Sequence, residues 1–101
     1  MKQITPKELK AKLAADSELF LLDVREDWEH EAFNIGGKHV PLGEIMNYAP
    51  SLPKDEPVII YCKKGVRSQI AIQRLEQKFG FNNLVNLEGG MEAWKREEQN
   101  Y

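Results

Sequence analysis

Short apolar runs alternate with amphipathic segments along the chain, and this alternation limits the folds that the sequence can adopt. The runs 19–24 and 57–61 are continuous and largely aliphatic, as in parallel-sheet strands that are covered on both faces. Segment 68–79 instead places apolar side chains at helical spacing before Gly80, a residue type that commonly ends helices. No Asn-Gly or Asp-Gly pair offers a tight hairpin. The sequence therefore predicts an α/β fold, a small and mostly parallel sheet with helices on both faces.

The remaining segments continue the alternation. Thr5 and Glu8 form a predicted capping box for a first helix, with Pro6 in the first helical position. We predict further strands at 3–4, 38–40 and 83–87, and further helices at 27–33, 42–48 and 91–97. The chain has 101 residues, so we expect one domain over residues 1–101, of which 98–101 form a frayed tail.

The charge balance excludes several classes of protein. Lys and Arg number 14 and Asp and Glu number 16, and a net charge of -2 excludes a generally basic nucleic-acid binder. No apolar run approaches the roughly 20 residues that span a bilayer, and the first residues lack the apolar stretch of a signal peptide. We therefore expect a cytoplasmic protein that binds neither nucleic acid nor membrane. Nothing in the sequence requires an oligomer, so we expect a monomer.

Cys62 is the only cysteine, which excludes an intramolecular disulfide and a cysteine-rich zinc site. Since His30 and His39 are the only histidines, a metal cluster of His and Cys would need carboxylates as well, and we expect no metal. We also expect no cofactor. Neither histidine has an evident partner in the sequence, and both are expected at the surface or in packing. We expect the larger side chains at helical positions to pack rather than bind: Trp28, Met91 and Trp94.

The position of Cys62 predicts a reactive thiol rather than a buried filler. It follows the apolar run 57–61, and ligands of parallel sheets bind beyond the carboxyl ends of the strands. A helix begins near Arg67, so its first N–H groups and the positive end of its dipole face the loop. Gly65 permits the tight curve that brings several N–H groups to one point. An ordinary thiol loses its proton near pH ~8.5, and such surroundings favour the thiolate.

The other polar residues near this loop have two interpretations each. Lys63 and Lys64 either contact an anionic substrate or are solvated. Arg67 either contacts the substrate or forms an ion pair, and we favour the substrate. Ser68 is predicted in the first helical turn, where it can also donate to the sulfur.

Asp23 and Arg25 end a neighbouring strand on the same side of the predicted sheet. They either support the site by contacting the substrate or form an ion pair that fixes the loop. We favour the ion pair.

Four segments, 21–26, 40–42, 62–68 and 86–94, resemble in sequence and order the motifs of rhodanese-like sulfurtransferases. The resemblance runs from about Ile4 to Trp94. It implies that Cys62 takes sulfur from a small anionic donor such as thiosulfate, as a persulfide, and passes it to cyanide, a thiol or a protein. It also implies that the substrate is bound by the residues of the loop: Lys63, Lys64, Gly65, Val66, Arg67 and Ser68.

The resemblance leaves two other functions open. The protein is either an enzyme or a persulfide carrier and protein-binding module with little turnover of small molecules. A phosphatase-like activity is a weaker alternative, because the relatives with that activity carry one more residue between the cysteine and the arginine than the four found here. Residues 33–38 depart from the family, reading Phe-Asn-Ile-Gly-Gly-Lys where relatives often read Gly-His-Ile-Pro-Gly-Ala. We expect a structural turn with altered packing there.

Overall fold

Five parallel strands form one sheet at the centre of the molecule. The computed structural model describes residues 1–16 and 18–99. The strands lie in the order β1-β5-β4-β2-β3, and each neighbouring pair is parallel, so the predicted α/β fold is confirmed. Their bounds are β1 (Lys2–Ile4), β2 (Phe20–Asp23), β3 (Lys38–His39), β4 (Val58–Tyr61) and β5 (Leu84–Leu87).

Helices connect the strands. They are α1 (Pro6–Ala15), α2 (Asp27–Ala32), α3 (Ile45–Tyr48), α4 (Val66–Phe79) and α5 (Gly90–Gln99), and short 3₁₀ turns flank α3 at Leu42–Glu44 and Ala49–Ser51. Helix α4 begins two residues before the predicted start, and α5 includes the first two residues of the predicted tail. The other two, Asn100 and Tyr101, lie outside the described residues. Within the described part of the chain, no helix is both long and apolar enough to cross a membrane.

The two faces of the sheet carry separate apolar clusters. Side chains alternate between the faces along each strand, so Ile60 of β4 packs towards α3 and α4, whereas Ile59 and Tyr61 pack towards α1 and α5. Met91 and Trp94 of α5 are buried in the second cluster, as predicted. Burial on both faces explains why the strand sequences are continuous apolar runs.

Trp28 does not pack, so that prediction is wrong. Its side chain is 70% exposed on α2, whereas the next residue, Glu29, is 8% exposed. The short helix turns Glu29 inward because its carboxylate has a charged partner on α4, described below. Trp28 therefore lies on the solvent side of α2.

Residues 33–38 form a turn that lies against β2. Gly37 has a φ of +87°, and a Cβ at this position would lie 2.5 Å from the Leu21 Cβ. The turn is also held by the Tyr61 hydroxyl, which donates to the Gly36 carbonyl at 3.0 Å. Glycine is thus required at residue 37 for the close approach of the turn to the sheet.

Candidate active site

Cys62 directly follows β4, the central strand of the sheet, and is 1% exposed. Its Sγ accepts the backbone N–H of Gly65 at 3.1 Å and that of Ser68 at 3.3 Å. Ser68 is the third residue of α4, so the sulfur occupies the place of a capping acceptor at the positive end of this helix. Gly65 reaches this geometry with a φ of +92°, which other residues rarely adopt. Such a site stabilises negative charge on the sulfur.

A buried side-chain network continues from the sulfur into β5. The Ser68 Oγ lies 3.4 Å from Cys62 Sγ, and its hydroxyl donates to the Asn86 Oδ1. The Asn86 Nδ2 in turn donates to the Gln3 Oε1 at 2.9 Å. Sequence reasoning missed Asn86 and Gln3. An amide in the otherwise apolar strand 84–87 was the signal that a buried partner exists.

The start of α5 holds the loop from the opposite side. The N–H of Met91 donates to the Cys62 carbonyl at 2.8 Å, and that of Glu92 donates to the Lys63 carbonyl at 3.0 Å. A Cβ on Gly90 would lie 2.6 Å from the Lys63 carbonyl oxygen and closer still to that of Cys62. The sequence alone predicted only the start of a helix here. The structure adds that this glycine lets α5 approach the loop backbone.

Arg67 is held by a carboxylate that the sequence analysis did not identify. Its Nη1 and Nη2 donate to the two carboxylate oxygens of Glu29 at 2.6 and 2.9 Å. These hydrogen bonds lower the pKa of Glu29 to about 2, and the same pair raises the pKa of Arg67. The ion-pair interpretation of Arg67 thus describes its geometry, although its positive charge also acts on Cys62.

Lys63, Lys64 and Val66 have exposed side chains on the loop and the first turn of α4. Within residues 1–16 and 18–99, no carboxylate oxygen lies within 4.0 Å of the ammonium group of either lysine. The two ammonium groups therefore add positive charge that the described fold does not neutralise.

Asp23 and Arg25 form the buried ion pair that we favoured. The Arg25 Nη2 donates to the Asp23 Oδ2 at 2.8 Å and to the Phe33 carbonyl at 2.6 Å. Burial opposes ionisation of Asp23, but hydrogen bonds from Arg25 and His30 outweigh it, so the pKa of Asp23 is lowered. Arg25 is 5% exposed, and the pair fixes the chain after β2.

The two histidines pack against each other, and each also has a polar partner that the sequence did not reveal. The His30 Nδ1 lies 2.8 Å from the Asp23 Oδ2, and the His39 Nε2 donates to the Arg25 carbonyl at 2.8 Å. The two rings stack with centroids 4.4 Å apart. Their partners are brought to them by the pairing of β2 with β3, which a reading along the sequence does not reveal. In the part of the chain that is described, no three His, Cys, Asp or Glu side chains are grouped to hold a metal ion.

The fold and the site together define a class: α/β domains in which a cysteine directly follows the central parallel strand and its sulfur accepts backbone N–H groups of the next loop and helix. The sequence model of the Rhodanese-like domain matches residues 5–97. The chain belongs to the rhodanese-like domain family.

Similar proteins and structures extend over most of the chain. The Bacillus subtilis (strain 168) protein named putative sulfurtransferase YtwF is 40% identical over 98 residues, which cover 96% of this chain and 93% of that protein. Thiosulfate sulfurtransferase GlpE of Coxiella burnetii is 31% identical over 84 residues, which cover 82% of this chain and 78% of that protein. The crystal structure of a rhodanese-like domain protein from Staphylococcus aureus superposes with a TM-score of 0.84 at 39% identity, over 93% of this chain and 91% of that one.

Proposed function

We propose that this protein is a sulfurtransferase that carries sulfane sulfur on Cys62. The observation that carries the proposal is the pair of N–H groups, from Gly65 and Ser68, that point at the Cys62 Sγ from the loop and the first turn of α4. They stabilise the thiolate that attacks the donor and the thiolate that is regenerated when the acceptor takes the sulfur. The names of the similar proteins YtwF and GlpE support the same reaction class.

The donor that fits this site best is thiosulfate. The Cys62 thiolate attacks the outer sulfur of thiosulfate, a new S–S bond forms, and the old S–S bond breaks so that sulfite leaves with the electron pair. The enzyme then holds a persulfide whose terminal sulfur is anionic. Lys63 and Lys64 attract the dianionic donor, since their charges are not neutralised by nearby carboxylates of the described fold.

Arg67 and Val66 complete the proposed substrate loop in different ways. Arg67 supplies positive charge from a position fixed by Glu29. Both of its terminal nitrogens already donate to that carboxylate, so Arg67 does not offer the substrate a free guanidinium. Val66 is 61% exposed at the start of α4, next to the loop. A donor or acceptor molecule that reaches the sulfur therefore contacts the Val66 side chain. Asp23 and Arg25 support the site from the neighbouring strand by fixing the backbone.

The acceptor completes the reaction by attacking the terminal sulfur of the persulfide. Cyanide, a small thiol or a protein thiol takes this sulfur, and the Cys62 thiolate is regenerated as the leaving group. Cys62 is the only cysteine of the chain, so an internal disulfide cannot release the sulfur. The acceptor is therefore a second molecule.

Turnover with thiosulfate and cyanide tests the proposal, with thiocyanate as the measured product. We expect steady turnover by the wild-type protein and none by Cys62→Ser, which keeps a side chain of similar size. Equal thiocyanate formation by the two proteins contradicts the proposal. Hydrolysis of an aryl phosphate that requires Cys62 would instead favour the phosphatase-like alternative.

A persulfide carrier for a protein partner is the second candidate function. Trp28 is 70% exposed and Val66 61% exposed, and each is adjacent in sequence to one member of the Glu29–Arg67 ion pair. Exposed apolar side chains beside a reactive group suit contact with a protein. If the protein is a carrier, we expect Cys62 to gain one sulfur atom from thiosulfate but to release it slowly to cyanide. Fast release to cyanide favours the enzyme.

A further inference from the structure

A chain of three polar side chains connects Cys62 to the outer strand of the sheet. Gln3 of β1 and Asn86 of β5 are register partners in the parallel pair β1–β5. Asn86 is 1% exposed and Ser68 is fully buried, whereas Gln3 is exposed. Hydrogen bonds run from Asn86 to Gln3 and from Ser68 to Asn86, and the Ser68 Oγ contacts the Cys62 Sγ.

The number of available protons fixes the direction of these hydrogen bonds. An amide oxygen can only accept, so the single hydroxyl proton of Ser68 is used in the bond to the Asn86 Oδ1. The Asn86 Nδ2 donates to the Gln3 Oε1, and in this arrangement Oδ1 faces Ser68. At 3.4 Å, the Cys62 Sγ therefore faces a lone pair of the Ser68 oxygen. The hydroxyl can turn to an anionic sulfur only by leaving the buried Asn86 Oδ1 without a donor, which is costly.

We propose that Asn86, oriented by Gln3, is a positioning residue that directs the Ser68 proton away from the Cys62 sulfur. This inference rests on the proposed role of Cys62 as the nucleophile. The anionic sulfur then keeps only the N–H groups of Gly65 and Ser68 as donors. Because the nucleophilicity of a thiolate falls as its basicity falls, withholding the hydroxyl keeps the sulfur reactive towards a sulfur donor.

Charged groups also lie on the elements around Cys62, and the test must leave them unchanged. They are Lys63 and Lys64 in the loop, Arg67 of α4 with Glu29 of α2, the Asp23–Arg25 pair after β2, and Glu88 and Glu92 around the start of α5. None of these side chains hydrogen bonds to Gln3 or Asn86 within the described residues. Substitutions at Gln3 therefore act on the sulfur through the amide of Asn86.

The experiment measures the rate of Cys62 alkylation by iodoacetamide against pH, with no sulfur donor present. The midpoint of this profile reports the acidity of the thiol. In Gln3→Ala the Asn86 amide is free to rotate and offer Nδ2 to the Ser68 oxygen, which releases the hydroxyl proton to the sulfur. We expect the midpoint to fall by about half a pH unit, since a hydrogen bond to a charged group contributes appreciably. The exposed position of Gln3 makes this variant compatible with folding.

Gln3→Glu is the matched control. Its carboxylate can only accept, so it keeps the Asn86 Nδ2 engaged, and we expect the midpoint to stay at the wild-type value or rise. Asn86→Leu removes the acceptor itself and is expected to lower the midpoint by about one pH unit. Because Asn86 is buried, the Gln3 variants carry the conclusion if Asn86→Leu does not fold.

The Ser68→Ala background shows whether the hydroxyl transmits the effect. There, Gln3→Ala is expected to leave the midpoint of the profile unchanged. An unchanged midpoint in Gln3→Ala alone would overturn the inference, and so would a shift that persists in the Ser68→Ala background. Loss of thiocyanate formation with the alkylation shifts intact would reject the proposed sulfur transfer but not this role of Asn86.

Discussion

Strands β2 and β4 end at the same edge of the sheet, and the polar residues at these two ends have different hydrogen-bond partners. Asp23, at the end of β2, is fully buried and accepts hydrogen bonds from Arg25 and His30. Its charge is matched inside the fold. Cys62, just after β4, is equally buried, but its sulfur is approached by neutral N–H groups of Gly65 and Ser68.

The difference between these two strand ends shows that two equally buried polar groups can have surroundings suited to different roles. At Asp23 three of the hydrogen bonds come from the Arg25 guanidinium, a cation that the carboxylate neutralises, so the pair stabilises the chain after β2. At Cys62 the donors are in place whether or not the sulfur carries charge, and nearby lysines remain exposed. Donors arranged before the charge develops are typical of catalytic sites.

Substitutions of Asp23 and Cys62 are expected to give the largest difference in stability and activity. Asp23→Asn leaves the buried Arg25 charge without its carboxylate and is expected to lower the free energy of unfolding by about 3 kcal/mol. Cys62→Ser is expected to change it by less than about 1 kcal/mol, because the hydroxyl still accepts the two N–H groups, yet to abolish sulfur transfer. Urea unfolding and the thiocyanate assay measure the two effects.

The exposed Asp55→Asn serves as the control for loss of a carboxylate, with a change within about 0.5 kcal/mol. Wild-type stability in Asp23→Asn would show that the β2 end is not the structural pair described above. Unfolding of Cys62→Ser would show that Cys62 is needed for the fold itself.

Alanine substitutions at two glycines separate the effect of loop packing on stability from the effect of backbone strain. Gly90 and Gly80 both have positive φ, +59° and +71°, but only at Gly90 would a Cβ meet the carbonyls of the cysteine loop. Gly80→Ala is expected to cost about 1 kcal/mol from backbone strain. Gly90→Ala is expected to cost about 3 kcal/mol, because the loop must also shift.

Only the Gly90 substitution is expected to slow sulfur transfer, since it displaces the backbone that holds Cys62. Thermal or urea unfolding together with the thiocyanate assay compares the two variants. Equal losses of stability, with activity kept in both, would mean that α5 does not hold the loop in position.

The Arg67–Glu29 pair is expected to depend on pH in the acid range. The folded protein lowers the pKa of Glu29 from the usual 4.5 to about 2, so the pair stabilises the fold above about pH 4.5 and loses this effect as the pH falls towards 2. Glu29→Gln is expected to lower the free energy of unfolding by about 1 kcal/mol at pH 6 and by less at pH 3.

Glu31→Gln, on the exposed side of the same helix, is the matched control and is expected to have little effect at either pH. Urea unfolding of the three proteins at both pH values makes the comparison. A difference between wild type and Glu29→Gln that grows on acidification would contradict the assignment.

The loop lysines are expected to give the smallest effect. Lys63→Gln and Lys64→Gln are each expected to raise the KM for thiosulfate about two- to fivefold at low salt, with kcat little changed. High salt is expected to reduce this difference, because the lysines are exposed. Lys7→Gln, on α1, controls for loss of one positive charge. Equal KM values in all four proteins would mean that the lysines do not attract the donor.

Local features of this fold could be predicted because their partners are close in sequence. The capping box forms as expected, with the Thr5 Oγ1 accepting the Glu8 N–H at 3.1 Å and the Glu8 Oε1 accepting the Thr5 N–H at 2.9 Å. The alternation of apolar and amphipathic segments predicted the sheet, because parallel strands need cover on both faces. The cysteine loop was recognisable for the same reason, since its glycine and helix start lie within a few residues.

Interactions between distant segments could not be predicted. Glu29 lies 38 residues from Arg67 and Asn86 lies 18 from Ser68, and their meeting depends on which helix covers which strand end. Trp28 was assigned to packing because the inward face of a six-residue helix is not defined by its sequence. The partners of His30 and His39 likewise depend on the β2–β3 pairing.

The central claim is that Cys62 accepts sulfur because the loop and α4 present donors to it. The most direct test is the intact mass of the protein after exposure to thiosulfate, compared with that of Cys62→Ser. The account predicts that the wild-type protein gains the mass of one sulfur atom, that the addition maps to Cys62, and that cyanide removes it. A wild-type mass that stays unchanged, or an equal gain in Cys62→Ser, would contradict it.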